Sequence, residues 1–325
     1  MVKIALLFPG QGSQYIGMGK EFFEKYEEVK RIFNQVNEIM GYDLKKIIFE
    51  GPENSLKQTE ITQPAIFVTN FACFKVFAIN YQLSTMDCLC AGHSLGEYSA
   101  LVACRVLSFE EGLQLVKKRA EFIQETSKKK PGKMAAILGL NKEKIEGICS
   151  LAKSRGIVEA ANFNCPGQIV ISGENGAVDY ALDLAKEEKA KVVLLKVSGP
   201  FHSSLMKEAG EKMAKELKNY QFHDTLLPVV TNCDAEITIS GNEIKEKLVK
   251  QIYHPVLWEE TIRKMFNQGV NTFIEIGPGK VLSGLVKRIN ESAKVLNIEN
   301  EESLNICLNQ SSSGSIGELK CAKKN

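Results

Sequence analysis

A serine between two glycines is the residue of this chain best placed to act as a nucleophile. Residues 92–96 read Gly-His-Ser-Leu-Gly, after a short apolar run and before a helical pattern. This is the G-x-S-x-G nucleophile elbow in its strand–turn–helix setting. The glycines relieve Cβ clashes, and the turn lifts Ser94 to a helix N-terminus that favours an oxyanion. The motif predicts acyl chemistry at Ser94, with a plain turn as the alternative because the bare pattern also occurs by chance.

A serine hydroxyl needs a base, because it is a weak nucleophile at neutral pH. Of the four histidines, His202 lies in a Gly-Pro-Phe-His-Ser loop after a predicted strand, where catalytic groups collect. His93 is expected to shape the pocket, and His223 and His254 resemble ordinary loop or surface residues. No acid stands at a strand end where it would orient the base. A backbone carbonyl that accepts the Nδ1 proton is the expected substitute, which favours a Ser-His dyad over a triad.

Arg119 is the one charge beside the apolar stripe of a predicted helix. This helix begins with the capping box Ser-Phe-Glu-Glu at residues 108–111. An arginine at such a position is costly unless it has a partner. On spacing alone, the favoured interpretation is a side chain that snorkels from the edge of the stripe.

A glycine loop follows the first predicted strand, at residues 2–8. Residues 10–14 read Gly-Gln-Gly-Ser-Gln, and the third glycine of a dinucleotide fingerprint would fall on Tyr15. The loop also lacks G-K-[ST], so it is no P-loop. It is either a simple turn or a ligand loop at the carboxyl end of a strand, where α/β sheets place ligands.

The elements around these loops predict an α/β fold. Residues 86–91 and 97–104 are the expected strand and helix of the elbow. One helix is expected over residues 21–40, and a second over 62–79 is apolar nearly all round and therefore buried, with Pro64 in its first turn.

A polar break, Lys-Lys-Lys-Pro-Gly at residues 128–132, precedes a β-α-β-β-α-β pattern. We therefore expect an α/β-hydrolase-like domain with a parallel sheet over residues 1–128 and 199–305. A ferredoxin-like subdomain is expected to be inserted at 129–198, and a disordered tail at 306–325.

Composition limits the classes of function. The chain has 325 residues, 44% hydrophobic and 25% charged, with a net charge of +2, which is typical of a globular protein without general affinity for nucleic acid. No apolar run approaches the length of a membrane span, and no signal peptide is recognised, so a cytoplasmic location is expected. Nine scattered cysteines without a C-x-x-C pair and four histidines argue against a disulfide framework and a zinc site.

Seven motifs occur in the order found in malonyl-CoA:acyl-carrier-protein transacylases, and over residues 2–298 the chain resembles a stand-alone bacterial member of that family. The motifs are Phe-Pro-Gly-Gln-Gly-Ser-Gln at 8–14, Thr-Gln-Pro-Ala at 62–65, Gly-His-Ser-Leu-Gly-Glu at 92–97, Lys-Arg at 118–119, Asn-Phe-Asn-Cys-Pro-Gly-Gln at 162–168, Gly-Pro-Phe-His-Ser at 199–203 and Gly-Pro-Gly-Lys-Val-Leu at 277–282.

The resemblance implies which residues carry the reaction. Ser94 would be the nucleophile, and His202 the general base and acid. The backbone N–H groups of Gln11 and Leu95 would form the oxyanion hole. Gln251 matches the family position whose backbone carbonyl orients the histidine.

The resemblance also implies how the acyl group is bound. Arg119 would hold the free malonyl carboxylate as a bidentate pair, which replaces the snorkelling interpretation. Gln63 and Asn162 would line the pocket. Phe201 is typical of malonyl-selective members, and Cys165 departs from the small hydroxyl residue that many members have there.

The reaction implied is ping-pong transfer of malonyl from malonyl-CoA to the phosphopantetheine thiol of acyl carrier protein, for fatty acid synthesis, without a metal or redox cofactor. We expect a monomer that acts without nucleic acid or membrane. The lysines considered for carrier docking, with a solvated surface as the alternative for each, are Lys133, Lys189, Lys191 and Lys280.

Three other functions stay open at this point. A serine esterase or thioesterase would use the same elbow, although Arg119 and the missing triad acid argue against it. A catalytically idle docking subunit of a synthase is the second. An acyltransferase that supplies a polyketide synthase in trans is the third, and sequence does not separate it from fatty acid synthesis.

Overall fold

Two β-sheets organise the chain, and a computed structural model describes residues 3–81 and 88–312 of it. The strands in these ranges are β1 (Lys3–Phe8), β2 (Cys88–Gly92), β3 (Lys133–Leu138), β4 (Val158–Cys165), β5 (Gln168–Gly173), β6 (Lys191–Leu194), β7 (Val229–Val230), β8 (Ile237–Thr238), β9 (Val270–Ile276) and β10 (Lys294–Ile298).

The α-helices flank both sheets. Those in the same ranges are α1 (Lys20–Lys25), α2 (Glu27–Met40), α3 (Leu44–Glu50), α4 (Glu53–Leu56), α5 (Thr59–Asn80), α6 (Gly96–Ala103), α7 (Phe109–Lys129), α8 (Lys142–Ala152), α9 (Asn175–Glu187), α10 (Lys207–Glu216), α11 (Gly241–Gln251), α12 (Trp258–Asn267), α13 (Val281–Ile289) and α14 (Glu301–Ser312).

The six-stranded sheet has the order β10-β9-β1-β2-β7-β8, and its neighbouring strands are parallel except for β7 and β8. We call this sheet and its helices the parallel part. Strands β1 and β2 pair in register from Ile4 opposite Cys88 to Phe8 opposite Gly92. Both strands thus end at the same edge, so the glycine loop after β1 meets the turn after β2, as expected for ligand sites in parallel sheets.

The four-stranded sheet has the order β4-β5-β3-β6 with every neighbouring pair antiparallel. We call β3 to β6 with α8 and α9 the antiparallel part. It has its own apolar core, formed between the sheet and its two helices. The chain enters it after α7 and returns to the parallel part just before His202.

Helix α5 lies in the core, as its apolar sequence predicts, but it begins at Thr59. We expected Pro64 in the first turn, but it lies beyond that turn, inside the helix. Because proline has no backbone N–H, α5 lacks one internal hydrogen bond at that point. By length and hydropathy α5 also meets the test for a membrane span, contrary to our expectation of no such run. However, 78% of that stretch is buried inside the protein, as in a core helix.

Two further expectations are corrected. The single helix predicted over residues 21–40 is divided into α1 and α2 by Tyr26, whose backbone is extended at φ −113° and ψ 119°. The tail predicted to be disordered from residue 306 is helical to Ser312, because α14 buries Leu304 and Cys307 in the core. Residues 86–87 of the predicted elbow strand and residues 313–325 of the tail lie outside the described ranges.

Candidate active site

Ser94 lies in the turn between β2 and α6 with φ 51°, a left-handed conformation that is uncommon for a residue with a Cβ. Glycine is required on both sides of it. A Cβ on Gly92 would lie 1.9 Å from the carbonyl carbon of Gly96, and a Cβ on Gly96 would lie 2.0 Å from the carbonyl oxygen of Phe8. The two glycines let the elbow close against the end of β1 and present the serine hydroxyl to the cleft.

His202 faces the serine across the cleft. Its Nε2 lies 2.7 Å from the Oγ of Ser94, and its Nδ1 lies 2.8 Å from the backbone carbonyl oxygen of Gln251. A carbonyl only accepts, so Nδ1 carries the proton and Nε2 is free to accept the serine proton. Burial, and then the charge of Arg119, lower the pKa of His202 to about 3. The imidazole is therefore neutral at physiological pH, the form that a general base needs.

Arg119 projects from α7 and is 2% exposed. Its Nη1 donates to Oε1 of Gln63 at 2.7 Å. Its Nη2 donates to the Oγ of Ser94 at 3.0 Å and to Oε1 of Gln251 at 3.1 Å. No carboxylate of the described residues forms an ion pair with it, and burial lowers the pKa of its guanidinium. A buried cation with only neutral acceptors is a strong site for an anion.

Two backbone N–H groups that have no partner in the described ranges of the chain indicate an oxyanion site. Gln11 follows β1 and Leu95 follows the nucleophile, and both residues line the cleft. Neither backbone N–H donates to another atom of the described residues. Free N–H groups beside a nucleophile are what a tetrahedral oxyanion requires.

The cleft at Ser94 has a volume of about 90 Å³, which suits a short acyl group. Gln63 from α5 and Asn162 from β4 line it. His93 also borders it, and its Nε2 lies 2.9 Å from Oδ1 of Asn164. The remaining lining is apolar, from Ile123, Met134, Leu195, Val197, Phe201 and Ile252. Seven of the eight residues that the sequence analysis assigned to the site line this cleft. The eighth, Gln251, does not line it but forms hydrogen bonds with Ser94, Arg119 and His202.

Two buried residues behind the elbow were missed by the sequence analysis. Asn232, after β7, accepts the N–H of Ser94 at 2.7 Å and donates to the carbonyl of Gly92 at 2.7 Å. Glu97, in α6, accepts from Nε2 of Gln251 at 2.7 Å, and burial raises the pKa of its carboxyl to about 7. The only signal for Glu97 was its place at the end of the Gly-His-Ser-Leu-Gly-Glu motif, and no motif marked Asn232.

The geometry supports one kind of chemistry. Within residues 3–81 and 88–312, no group of three or more His, Cys, Asp or Glu side chains could hold a metal ion. The residues gathered here are a nucleophile, a neutral base, two N–H donors and a buried cation. Together they suit attack on an acyl carbon whose acyl group carries a negative charge at its far end.

Comparison with known proteins agrees with this acyl chemistry. A family model described as acyl transferase domain matches residues 5–310. A malonyl CoA-acyl carrier protein transacylase of Bacillus subtilis is 46% identical over 310 residues, which cover 95% of this chain and 97% of the relative.

Solved structures agree with this match. The crystal structure of a malonyl CoA-acyl carrier protein transacylase from Clostridium perfringens has a TM-score of 0.89 at 42% identity, covering 96% of this chain and 98% of that one. A malonyl-transacylase solved in complex with its type II polyketide synthase acyl-carrier protein has a TM-score of 0.91 at 39% identity, with coverage of 95% and 99%.

Proposed function

Since the chain belongs to the acyl transferase domain family, we propose that it moves a malonyl group from malonyl-CoA to the phosphopantetheine thiol of an acyl carrier protein, through malonyl-Ser94. The observation that carries this proposal is the buried guanidinium of Arg119, 3.0 Å from the Oγ of Ser94 and bonded only to neutral acceptors. A malonyl carboxylate would give this guanidinium the charge-assisted pair that the neutral acceptors do not provide.

In the first half-reaction, Ser94 attacks the thioester carbon of malonyl-CoA while Nε2 of His202 takes the hydroxyl proton. The new bond joins Oγ to the carbonyl carbon, and the oxyanion accepts hydrogen bonds from the N–H groups of Gln11 and Leu95. Each such donor supports the rate by about 3 kcal/mol in comparable sites. The C–S bond then breaks, and His202 returns its proton to the departing CoA sulfur.

In the second half-reaction, the carrier thiol attacks malonyl-Ser94 by the same path in reverse. His202 accepts the thiol proton as the sulfur bonds to the acyl carbon, and it gives that proton back to Oγ of Ser94. The backbone carbonyl of Gln251 keeps Nδ1 protonated throughout, which replaces the acid of a triad. The residues of this chain suffice for the acid–base steps, so no metal or redox cofactor is proposed.

Two residues that line the cleft, Arg119 and Phe201, are proposed to set selectivity. Arg119 favours an acyl group with a carboxylate, and the ring of Phe201 beside His202 would crowd an α-methyl group. One methyl group discriminates by only about 1–3 kcal/mol, so the charge is the stronger filter.

The domain types, the oligomeric state and the cellular location of the protein belong to the same proposal. The parallel part is proposed to be an α/β-hydrolase-like domain, with residues 129–198 as a ferredoxin-like insertion. The strand order β4-β5-β3-β6 and the two helices α8 and α9 of the insertion support the ferredoxin-like assignment. A monomer, a cytoplasmic location and independence of nucleic acid and membrane stay predictions.

Carrier docking at surface lysines is part of the proposal. Lys189, Lys191 and Lys280 are exposed, so they are open to an acidic carrier. Lys133 is engaged in an ion pair with Asp179, which weakens its candidacy.

The test is to incubate the protein with equal concentrations of malonyl-, methylmalonyl- and acetyl-CoA and to measure the mass added to the Ser94 peptide. We expect malonyl to predominate and to move to phosphopantetheinylated carrier protein on addition. A Ser94→Ala variant is the control and should gain no mass. Full transfer by Ser94→Ala would contradict the mechanism, and rapid release of free malonate without transfer would identify a hydrolase.

A polyketide carrier is the second candidate acceptor. The similarity to a malonyl-transacylase in complex with a polyketide synthase carrier favours testing it. Equal amounts of a fatty acid synthesis carrier and a polyketide carrier, offered to the malonylated enzyme, would show by mass which is loaded faster.

A further inference from the structure

One buried carboxylate behind the elbow holds two residues, Gln251 and Asn232, whose side-chain amides bond to the backbone of Ser94. Glu97 is 0% exposed. Its Oε2 accepts from Nε2 of Gln251 at 2.7 Å and from the backbone N–H of Asn232 at 3.3 Å. No lysine or arginine of the described ranges forms a salt bridge with it. The carboxylate is therefore used as a hydrogen-bond acceptor rather than as half of an ion pair.

The two residues that Glu97 holds fix both peptide groups of Ser94. Asn232 accepts the N–H of Ser94 at 2.7 Å, and Nε2 of Gln251 donates to its carbonyl oxygen at 2.8 Å. These contacts hold the serine at φ 51°. A left-handed conformation at a residue with a Cβ persists only when the surroundings determine it.

Gln251 also reaches the other two reacting side chains. Its backbone carbonyl accepts from Nδ1 of His202 at 2.8 Å, and its Oε1 accepts from Nη2 of Arg119 at 3.1 Å. If the amide were rotated by half a turn, its NH₂ group would face the guanidinium and its oxygen would face Glu97. An acceptor at Glu97 excludes that orientation, because two acceptors, like two donors, do not bond to each other.

We infer that Glu97 is a positioning residue for acyl transfer. Its acceptor oxygen holds Gln251 and Asn232, and these two residues set Ser94, His202 and Arg119 in one geometry. This inference deepens the proposed function and rests on it. Burial raises the pKa of the carboxyl to about 7, so near neutral pH a part of it is protonated. Oε1 has no partner and is the free position for that proton, which leaves Oε2 an acceptor in both forms.

Two conservative variants separate the acceptor from the charge. Glu97→Gln removes the charge but keeps an acceptor oxygen at the same reach. Glu97→Asp keeps the charge but withdraws the oxygen by one methylene. The matched controls are Glu275→Gln and Glu275→Asp. Glu275 is also 0% exposed, but it caps α13 by accepting from Leu282 and Ser283 at 3.0 and 2.7 Å.

The measurements are kcat and KM for malonyl transfer, the ratio of malonyl to acetyl labelling, and the thermal midpoint. Glu97→Gln should stay within about threefold of wild type, because its acceptor is kept. Glu97→Asp should lose about 10- to 100-fold in kcat, since displacement of reacting groups by about 1 Å has effects of that size. Its malonyl preference should fall about tenfold, because Gln251 no longer holds Arg119. The Glu275 variants should change only the thermal midpoint.

Several outcomes would overturn the inference. One is the reverse order, with Glu97→Gln impaired and Glu97→Asp near wild type, which would assign the effect to charge. Another is wild-type kcat and selectivity in both variants. A third is loss of rate in proportion to the unfolded fraction, with KM and the labelling ratio unchanged, which would make Glu97 structural only.

A second readout keeps this test separate from that of the proposed function. The rate at which a fluorophosphonate modifies Ser94 depends on the serine and histidine but not on malonyl. It should fall in Glu97→Asp and stay near wild type in Glu97→Gln. A wild type that reacts with the fluorophosphonate but not with malonyl-CoA would refute the proposed function alone. Equal fluorophosphonate rates in wild type and both variants would refute the role of Glu97.

Discussion

The parallel and antiparallel parts of the molecule contribute to the same cleft in different ways. The parallel part provides Ser94 and Arg119, and hydrogen bonds that both residues donate to buried amide oxygens hold them in place. The antiparallel part provides Met134 and Asn162 as wall residues, which strand pairing and packing hold in place. The difference predicts that the antiparallel part affects fit alone, whereas the parallel part carries the reacting groups and also the cation proposed to select the acyl group. Substitutions in the two parts should therefore separate kcat from KM.

The largest effect is expected at His202, where the chain returns to the parallel part. Among the residues that the structure describes, His202 is the only base within hydrogen-bond distance of the Oγ of Ser94, so acylation should fall by about 10³-fold in His202→Ala. His223→Ala is the control, because this histidine is exposed and makes no contact with the cleft. The measurement is the rate of malonyl incorporation at Ser94. Similar losses in both variants would remove the distinction between site and surface histidines.

Arg119 should show the next largest effect. Arg119→Ala leaves a buried carboxylate without its partner, and kcat/KM for malonyl-CoA should fall by about 10²- to 10³-fold. Acetyl-CoA should be affected much less, so the preference between the two shifts toward acetyl. Arg119→Lys keeps the charge without the two-pronged geometry and should lie in between. An unchanged malonyl preference in Arg119→Ala would show that the carboxylate binds elsewhere.

A wall residue of the antiparallel part should affect fit alone. Asn162→Ala removes one polar group from the cleft, and KM for malonyl-CoA should rise about 3- to 10-fold, the effect of one hydrogen bond, with kcat unchanged. Ser172→Ala on the neighbouring strand is the control, since Ser172 is buried but does not line the cleft. A fall in kcat with KM constant would break the proposed division of roles.

The smallest change is expected from pH. Burial and the nearby Arg119 lower the pKa of His202 to about 3, so the base stays neutral from pH 8 down to pH 5. The rate of Ser94 malonylation should vary less than about twofold over that range, whereas a base with the ordinary pKa of about 6.5 would lose activity steadily below it. A midpoint near pH 6.5 would contradict this expectation.

The same shift has a consequence for stability. Because the pKa of His202 is lower in the folded state, its contribution to stability is present above pH 6.5 and is lost as pH falls toward 3. Urea unfolding at pH 4 and pH 7 should show a smaller difference for His202→Ala than for the wild type.

Local chemistry predicts much of the fold. The capping box at Ser108 and Glu111 and the strand–turn–helix of the elbow are confirmed, because each depends on residues within a few positions of one another. The division of residues 21–40 into two helices depends on one extended residue, Tyr26, and helical periodicity runs through it without interruption. Periodicity therefore indicates that a helix exists better than it indicates where the helix ends.

The site was predictable only where a motif marks it. Spacing alone favoured a snorkelling Arg119, and the resemblance changed that to an inward position, where the side chain is 2% exposed. Asn232 and Gln251 act on Ser94 from 138 and 157 residues away. The sequence around an asparagine or glutamine does not show whether its side chain bonds to water or to a buried peptide group. Only the three-dimensional course of the chain distinguishes these cases.

The backbone conformation of Ser94 lowers the stability of the folded protein, although catalysis requires a serine at this position. Its φ of 51° costs a residue with a Cβ about 1 kcal/mol or more, and glycine avoids most of that cost. A chain with glycine at position 94 should therefore resist denaturant better than one with alanine there, although both are inactive. Selection for a longer-lived protein alone would favour loss of the nucleophile, so the strained serine persists only where catalysis itself is selected.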